Sequence, residues 1–547
     1  MKEAPERRAN HDGMTETRSA TTSVEPRRWW VLAVMSVGTL MVFLDDTVVN
    51  TALPRIAVDL HASTSALQWV IDAFVLVLAG LLLLCGSIGD RYGRKRMMSI
   101  GLVVFGLAAT GAALANSTGL LIAMRAVQGL GAALVLPATL SIIVSVFPRQ
   151  ERPKAIVVWT AVGGLGIALG PVAGGSLIDA AGWSAAFWLF IPLVVAALAG
   201  MTVVPESRDP RRVGLDVPGA VLGTAGVTTL VYGIIRAGEV GWGTGVVLGS
   251  FAAAAVLLAA FAVVEARASA PMLPLQFLRE RDLVGAVLVI GILLFAMFVT
   301  FFFLTQYFQI VQGRSALEAG LLLVAPAAGM IVGSGIAGRL IHTAGPRVLS
   351  ALMLVMVVAA LVVLTVIIDT TTDGGPILLI LGFFGLGAGL GMPALTDSVM
   401  AAVPERDAGV GSALNDVSRQ LGGALGVAVI GSVVNDAYRS NLADHAGNLP
   451  PAALHAAGEG IGIASRVAAT LPRDAAAELT RTANDAFIHA INRGFTISTA
   501  VLLAALVVAV TMMPRWMRVA QAEAIDDTTD GLGDELATHE LQPELAN

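Results

Sequence analysis

The chain holds 547 residues, of which 56% are hydrophobic and 14% charged, with a formal net charge of −6. Soluble globular proteins carry about a quarter charged residues, so this composition excludes a chain that covers itself with a water-facing surface. A mean hydropathy of +0.78 and recurrent apolar runs near or above the roughly 18 residues that mark a membrane-spanning helix make it a polytopic membrane protein.

In chain order, a polar tail (1–28) runs straight into an apolar segment without a small-residue cleavage site, which argues against a removed signal peptide. Six spans are predicted at 29–51, 66–88, 98–115, 119–147, 155–179 and 184–204, and two more at 215–236 and 243–265. The last six lie at 283–311, 318–340, 347–368, 375–402, 408–435 and 486–514. The runs are too long, and alternate too little, for a membrane β-barrel, so the fold class is all-α with fourteen transmembrane helices. A long Ala-rich connection (436–485) precedes the last span, and its stretch Asp474–Leu479 can start a short surface helix. The final 27 residues hold eight acids and no Lys or Arg, the composition of a disordered tail.

Orientation follows from basic residues in the short loops. Connections 2–3, 4–5, 6–7, 8–9, 10–11 and 12–13 hold sixteen Lys and Arg, among them Arg91, Arg94, Lys95, Arg96, Arg211, Arg347 and Arg406; the alternating connections hold three, Arg55, Arg236 and Arg314. Both termini are therefore expected in the cytoplasm. Cys85 is the single cysteine, which rules out an intramolecular disulfide and a Cys-based metal site. None of the three lysines is followed by Ser or Thr, so the chain contains no P-loop and is not itself a P-loop ATPase.

Four motifs resemble the major facilitator superfamily, specifically its fourteen-helix drug:proton antiporter branch of QacA/EmrB-like multidrug exporters. Leu44-Asp45-Asp46-Thr47-Val48-Val49-Asn50-Thr51-Ala52-Leu53-Pro54 is similar to that branch's first-helix signature. The stretch Gly86 to Arg96, with Asp90, Arg91, Gly93 and Arg94, resembles the superfamily's loop 2–3 motif. Arg125, Gln128, Gly129 and Gly131 resemble the fourth-helix motif, and Gly166, Gly170, Pro171, Gly174 and Gly175 the fifth-helix antiporter motif. The resemblance implies a six-helix bundle over 29–204, two inserted linker helices over 205–282, and a second six-helix bundle over 283–514, followed by the acidic tail 515–547. Gly338-Arg339 and Gly345-Pro346-Arg347 stand where a degenerate copy of the loop 2–3 motif would fall, without its Asp.

An ionisable group at mid-membrane costs at least about 2.5–3.5 kcal/mol, so each needs a reason. The interior candidates are Asp45, Asp46, Asp72, Arg125, Asp397, Asp416 and Arg419, and no histidine is among them. Coupling must then rest on carboxylates, whose charged form a dry cavity disfavours. The resemblance favours Asp45 as the proton and substrate acid facing the cavity, with Asp72 as a second acid. Asp46 points about 100° away on the same helix and is the weaker cavity candidate. Arg125, always charged, is expected to pair with an acid or a carbonyl beside the cavity. Asp416 and Arg419, three residues apart, can pair with each other, and Asp397 offers an acid in the second bundle. Each of these groups also has a bland reading, as an interfacial acid or a helix-tying ion pair.

Gly86 and Gly93 permit close approach and a tight turn, and Asp90 can face a helix N-terminus or an arginine across the two bundles. The resemblance implies that this motif, with Arg91 and Arg94, acts as a cytoplasmic latch broken when the pump opens inward. Gly166, Gly170 and Gly174 expose a backbone ridge, which is expected to meet Gly329, Gly333 and Ala337 of span 10 at the bundle interface. Spans 7 and 8 are expected to be lipid-facing spacers. Phe301, Phe302, Phe303, Gln306, Tyr307 and Gln309 can line an adaptable pocket or face lipid.

These expectations describe a transporter and not an enzyme: a proton-driven exporter of hydrophobic, cationic drugs, multi-pass in the cytoplasmic membrane. It needs no cofactor beyond the proton gradient. Its partners are small-molecule substrates, protons and membrane lipids, with no nucleic acid, and it is expected to work as a monomer with no adaptor protein specified by the sequence. A dedicated exporter of one compound and a non-transporting membrane sensor are the alternatives; the antiporter motif argues against an uptake symporter.

Overall fold

The computed structural model describes residues 25–148, 151–208, 216–268, 271, 277, 279–403, 408–445 and 450–514. The expected tails, with the basic residues Arg211, Arg212 and Arg406, fall largely or wholly outside these. The described chain is helical, without a β-strand, as expected where a bilayer forces every backbone polar group to be satisfied within its own segment. Thirteen helices in it are long and apolar enough to cross a membrane.

The first five spans are α1 (Glu25–Asp59), α2 (Thr64–Tyr92), α3 (Arg94–Ala113), α4 (Thr118–Val146) and α5 (Arg152–Ala181). The predicted sixth is broken into α6 (Ala185–Trp188) and α7 (Phe190–Gly200), a shorter apolar stretch. α8 (Val217–Val240) and α9 (Gly245–Arg267) follow, then α10 (Arg281–Gln306), which ends in a π-helical turn, Tyr307–Val311. Span 10 begins as the short α11 (Ala316–Leu322) and continues into α12 (Ala325–Ile367), where Gly345 (φ 74°) and Pro346 divide spans 10 and 11. α13 (Gly374–Ala401), α14 (Ala408–Asp444), α15 (Pro451–Ala457), α16 (Ile461–Thr470) and α17 (Arg473–Met512) complete the order.

Local chemistry sets the boundaries. Ser63 and Ser117 cap α2 and α4 by accepting from Ala66 N and Leu120 N, and Ser315 with Glu318 forms a reciprocal capping box on α11. Gly93 (φ 114°) makes the turn from α2 to α3, a backbone region closed to most side chains. Leu107, Ile331, Val366 and Leu379 remain exposed as a lipid-facing belt does.

The 436–485 connection differs from expectation. α14 runs on to Asp444, and Asp474–Leu479 are the first turns of the 40-residue α17, not a separate surface helix. No breaker separates them from the span, so at about 1.5 Å per residue α17 outreaches the roughly 30 Å hydrocarbon core. α15 and α16 fold back over the α1–α2 turn. Glu459 O accepts from Thr64 N (3.1 Å) and Thr64 Oγ1 (3.3 Å), and Arg466 donates to Val58 O.

Within the first half α1 packs on α5, and α4 on α2 and α3; within the second, α10 packs on α14, α12 on α13, and α17 on α10, α12 and α14. The halves meet through α2 against α14 and α5 against α11. α8 corrects the expectation of a lipid-facing spacer: it packs on α2 and α14 as well as α9, and its Gly238 O accepts from Asn435 Nδ2 at 3.2 Å. α9 conforms, with only Val247, Ala254 and Glu265 buried.

Candidate functional site: a cavity between the two halves

We call the end where α1 meets α2 the distal end and the opposite one proximal. At the distal end the halves are stitched by polar contacts. Gln68 Nε2 of α2 donates to Val427 O of α14 (2.9 Å), and Gln309 Nε2 of the π turn to Thr51 O of α1 (2.9 Å). The Asp179 carboxylate of α5 accepts from Ala316 N (3.0 Å) and Leu317 N (2.9 Å), the first amides of α11. Pro54 supplies no amide hydrogen inside α1, so the turn before it is loosened. Asp179 and Gln68 were not singled out from the sequence; each is an isolated polar residue near a helix end.

Below this seam lies an open cavity, with about 660 Å³ of space that includes its opening to solvent. Its walls come from α1, α2 and α4 on one side and α10 and α14 on the other. Leu78, Leu82, Leu136, Leu294, Met297, Phe298 and Phe301 make it apolar, while Asp46, Thr47, Asn50, Asp416, Arg419 and Gln420 supply polarity. A smaller cavity of about 340 Å³ shares Thr47, Asn50 and Phe301 and reaches Pro171 of α5. Of the expected aromatic pocket only Phe301 lines either cavity. Phe302, Phe303 and Tyr307 are buried in the core instead, and Tyr307 Oη donates to Asp369 O at 2.6 Å.

The two acids of α1 exchange places relative to expectation. Asp45 is fully buried among α1, α2 and α4 and does not line the cavity. Its Oδ2 accepts from Arg125 Nη1 at 2.6 Å and its Oδ1 from Gln128 Nε2 at 3.0 Å. Arg125 also donates to Val70 O (3.0 Å) and Gln128 Oε1 (3.0 Å), and lies over the Phe74 ring, 4.3 Å from its centroid. The buried guanidinium thus has an acid, two oxygen acceptors and an aromatic face, as such a charge requires. Asp46, one residue on and about 100° round the helix, lines the cavity instead.

Asp416 and Arg419 both reach the cavity from α14. Of the two readings their spacing left open, the local salt bridge is not formed: they make no ion pair within 4 Å, and among the described residues Arg419 forms no hydrogen bond. Its guanidinium lies 5.7 Å from the Phe43 ring centroid, within electrostatic reach of both Asp46 and Asp416. Asp72 is fully buried on α2, one helical turn from Gln68, and neither of its oxygens is hydrogen-bonded among the described residues. Asp397 sits half-buried on α13, away from the cavity lining.

The loop 2–3 motif is folded onto its own half. Asp90 Oδ1 pairs with Arg94 Nε at 2.7 Å, Arg94 N donates to Ser207 O (3.0 Å), and Lys95 N donates to Glu206 Oε1 (3.1 Å). Asp90 therefore does not reach across the halves; Arg94, four residues on, is the cation nearest to hand. Arg91 stacks over Tyr92, and Gly86 lies near Pro137 of α4. The degenerate copy behaves alike: after the Gly345 turn, Arg347 donates to Met513 O (2.6 and 2.8 Å), beyond the end of α17.

The antiporter motif also has a different partner from the expected one. Gly166, Gly170 and Gly174 lie against Leu40, Thr47 and Val48 of α1, whereas Gly329 and Gly333 lie against Gly382, Leu386 and Leu390 of α13. Span 10 is met one ridge over, where Pro171 O approaches Gly320 and Gly175 approaches Ala316 and Leu317.

Asp179→Ala removes two acceptors from the α11 amides. It is expected to weaken distal closure by about 0.5–2 kcal/mol, the scale of a lost helix cap. In a Cys85→Ser background, Asn50→Cys should then be alkylated several-fold faster by a membrane-impermeant maleimide added from the distal side; an unchanged rate removes Asp179 from the seam.

A model of the Major Facilitator Superfamily matches residues 35–427. A puromycin resistance protein of Streptomyces alboniger is 37% identical over 441 residues, covering 80% of this chain and 87% of its own length. The tetracenomycin C resistance and export protein of Streptomyces glaucescens is 34% identical, covering 88% and 91%. The multidrug efflux pump LfrA of Mycolicibacterium smegmatis is 33% identical, covering 90% and 97%. Among solved structures, a bacterial homologue of the human lysosomal transporter Spinster, described as inward-facing and occupied, superposes with a TM-score of 0.59 at 17% identity, covering 88% of this chain and 96% of its own. A D-xylose-proton symporter gives 0.57 at 15% identity, covering 89% and 98%.

Proposed function

The chain belongs to the Major Facilitator Superfamily, and on that premise we propose that it is a proton-coupled antiporter that exports hydrophobic, cationic drugs or other toxic small molecules by alternating access. It is a multi-pass membrane transporter; in this reading it sits in the cytoplasmic membrane with fourteen crossings, bundles at 29–204 and 283–514, and both termini and the proximal end in the cytoplasm. It acts as a monomer, with lipids around it and no adaptor assigned. The carrying observation is the apolar cavity between the halves, with Asp46 and Asp416 on its walls and the Asp45–Arg125–Gln128 cluster sealed directly behind Asp46.

A cationic, lipophilic cargo entering from the proximal side meets Asp46 and Asp416 in a low-dielectric chamber, where a charge without a counter-ion is costly. A proton reaching an acid of the site removes that attraction, so cargo and proton compete. Each proton entering is worth about 1.4 kcal/mol per pH unit and about 2.3 kcal/mol per 100 mV. Asp45 supplies the coupling acid: protonating it releases the Arg125 guanidinium and loosens α1, which carries Asp46, Thr47 and Asn50. The seam at Gln68, Gln309 and Asp179 keeps the distal side shut while cargo loads, with the loop 2–3 motif folded back on its own half. Asp72 is assigned as a second proton-carrying acid and Asp397 as an acid of the second bundle.

Everted vesicles test this. A cationic dye such as ethidium should dissipate a preformed pH gradient in vesicles holding the wild type; a gradient left untouched across a broad panel of cations would overturn the reading. Dissipation by one compound alone would favour a dedicated exporter, a reading lent weight by relatives named for single antibiotics.

A further inference from the structure

The cavity holds three charges that are not paired with one another. Asp46 projects from α1 and Asp416 and Arg419 from α14, Arg419 has no carboxylate within 4 Å, and its five donors meet no acceptor among the described residues. The other interior arginine, Arg125, is saturated by an acid, a carbonyl, an amide oxygen and a ring. A guanidinium is planar, permanently charged and suited to bidentate binding of a carboxylate. Lying beside the Phe43 ring and within electrostatic reach of Asp46 and Asp416 but bonded to neither, in a wall of leucine, methionine and phenylalanine, Arg419 keeps its donors open to an anion.

The opposite wall is built for a cation. Asn50 donates through Nδ2 to Asp46 O at 2.9 Å, which leaves its buried Oδ1 without a partner. Asp46 and Asn50, four residues apart on one face of α1, put a carboxylate and an amide on this wall, and among the described residues no donor is bonded to the carboxylate.

We infer that the cavity selects amphoteric cargo: an apolar ring system bearing a cationic nitrogen group with N–H donors, taken on the Asp46 and Asn50 wall, and a carboxylate, taken by Arg419. The inference rests on the export reading for its biological meaning, but the site itself is a matter of equilibrium binding. A cation without an acidic group uses half of it and leaves Arg419 desolvated by the cargo and unpaired. Masking the carboxylate of an amphoteric cargo removes a charge-assisted contact, the class of hydrogen bond that changes affinity by about tenfold or more.

Rhodamine 110, which carries a carboxylate beside its cationic ring system, and rhodamine 123, its methyl ester, form the matched pair. Dissociation constants are read by fluorescence polarisation on full-length protein in lipid nanodiscs. Wild type should bind rhodamine 110 about tenfold more tightly than rhodamine 123. Arg419→Gln should bring that ratio to about one, and Arg419→Lys, which keeps the charge but loses the fork, should fall between. Because the ratio is internal to each variant, a general loss of affinity does not mimic the effect. A wild-type ratio of one or below overturns the inference without recourse to any variant, as does a tenfold ratio that survives in Arg419→Gln. Failure of the export reading shows separately: vesicles that do not move rhodamine 123 or ethidium against a pH gradient, while the binding ratio stands.

Discussion

Asp45→Asn should abolish proton-driven efflux while leaving a folded protein that still binds cationic dye, because Asp45 touches Arg125 and Gln128 and not the cavity. The asparagine can still accept from Arg125, so the guanidinium keeps Val70 O, Gln128 Oε1 and the Phe74 ring beside it. Arg125→Met is the harsher change. It strands a buried carboxylate with a single amide donor, and breaking one side of a buried pair costs about 3–5 kcal/mol. Its thermal unfolding midpoint should therefore fall far more than that of Asp45→Asn. Combining Asp45→Asn with Arg125→Gln makes the cluster neutral and fully hydrogen-bonded. It should recover most of the lost stability and none of the transport. Differential scanning fluorimetry and the vesicle pH-gradient assay give the two readouts. A double variant that exchanges cargo for protons at the wild-type rate would reduce the cluster to a structural tie.

The helices were legible in the sequence because the bilayer imposes them: apolar runs of fixed length between basic loops admit few other readings. Their partners were not legible. Polar residues on α1 and α5 are not gathered on one face, so neither helix marks its phase. The step from Asp45 to Asp46, about 100° of rotation, decides between a sealed ion pair and a cavity wall. The glycine ridge of α5 posed the same problem. Small residues recur on α5, α12 and α13, and spacing alone cannot say that Gly170 meets Thr47 while Gly333 meets Leu386 and Leu390. Arg125 was recognisable as a charge in need of an acid, since the cost of leaving it unpaired holds whatever the packing. Asp179 gave no such signal: its partners are backbone amides at the start of α11, and every helix start offers those.

Gly170→Leu should abolish efflux without preventing membrane insertion. A Cβ at Gly170 would run into Thr47 Oγ1 and come within 2.8 Å of Thr47 Cβ, and Thr47 lines both cavities. Even Gly170→Ala overpacks this contact, at about 1–3 kcal/mol, and leucine adds three more carbons. The strain falls on α1 at the turn holding Asp45 and Asp46, so it should stop transport before it unfolds the protein. Thr47→Gly removes the obstructing atoms. The pair Gly170→Ala with Thr47→Gly should therefore export better than Gly170→Ala alone, despite roughly 1 kcal/mol of lost helix propensity. Dye efflux from cells, normalised to the amount of protein in the membrane, measures the series. Normal efflux by Gly170→Leu would mean that α1 does not move against α5 during the cycle. Efflux that fails in Gly170→Ala and is rescued by Thr47→Gly would locate the moving contact, and with it the reason the antiporter motif is glycine: α1 carries the sealed acid on one side and the cavity acid on the other, and α5 must let it turn.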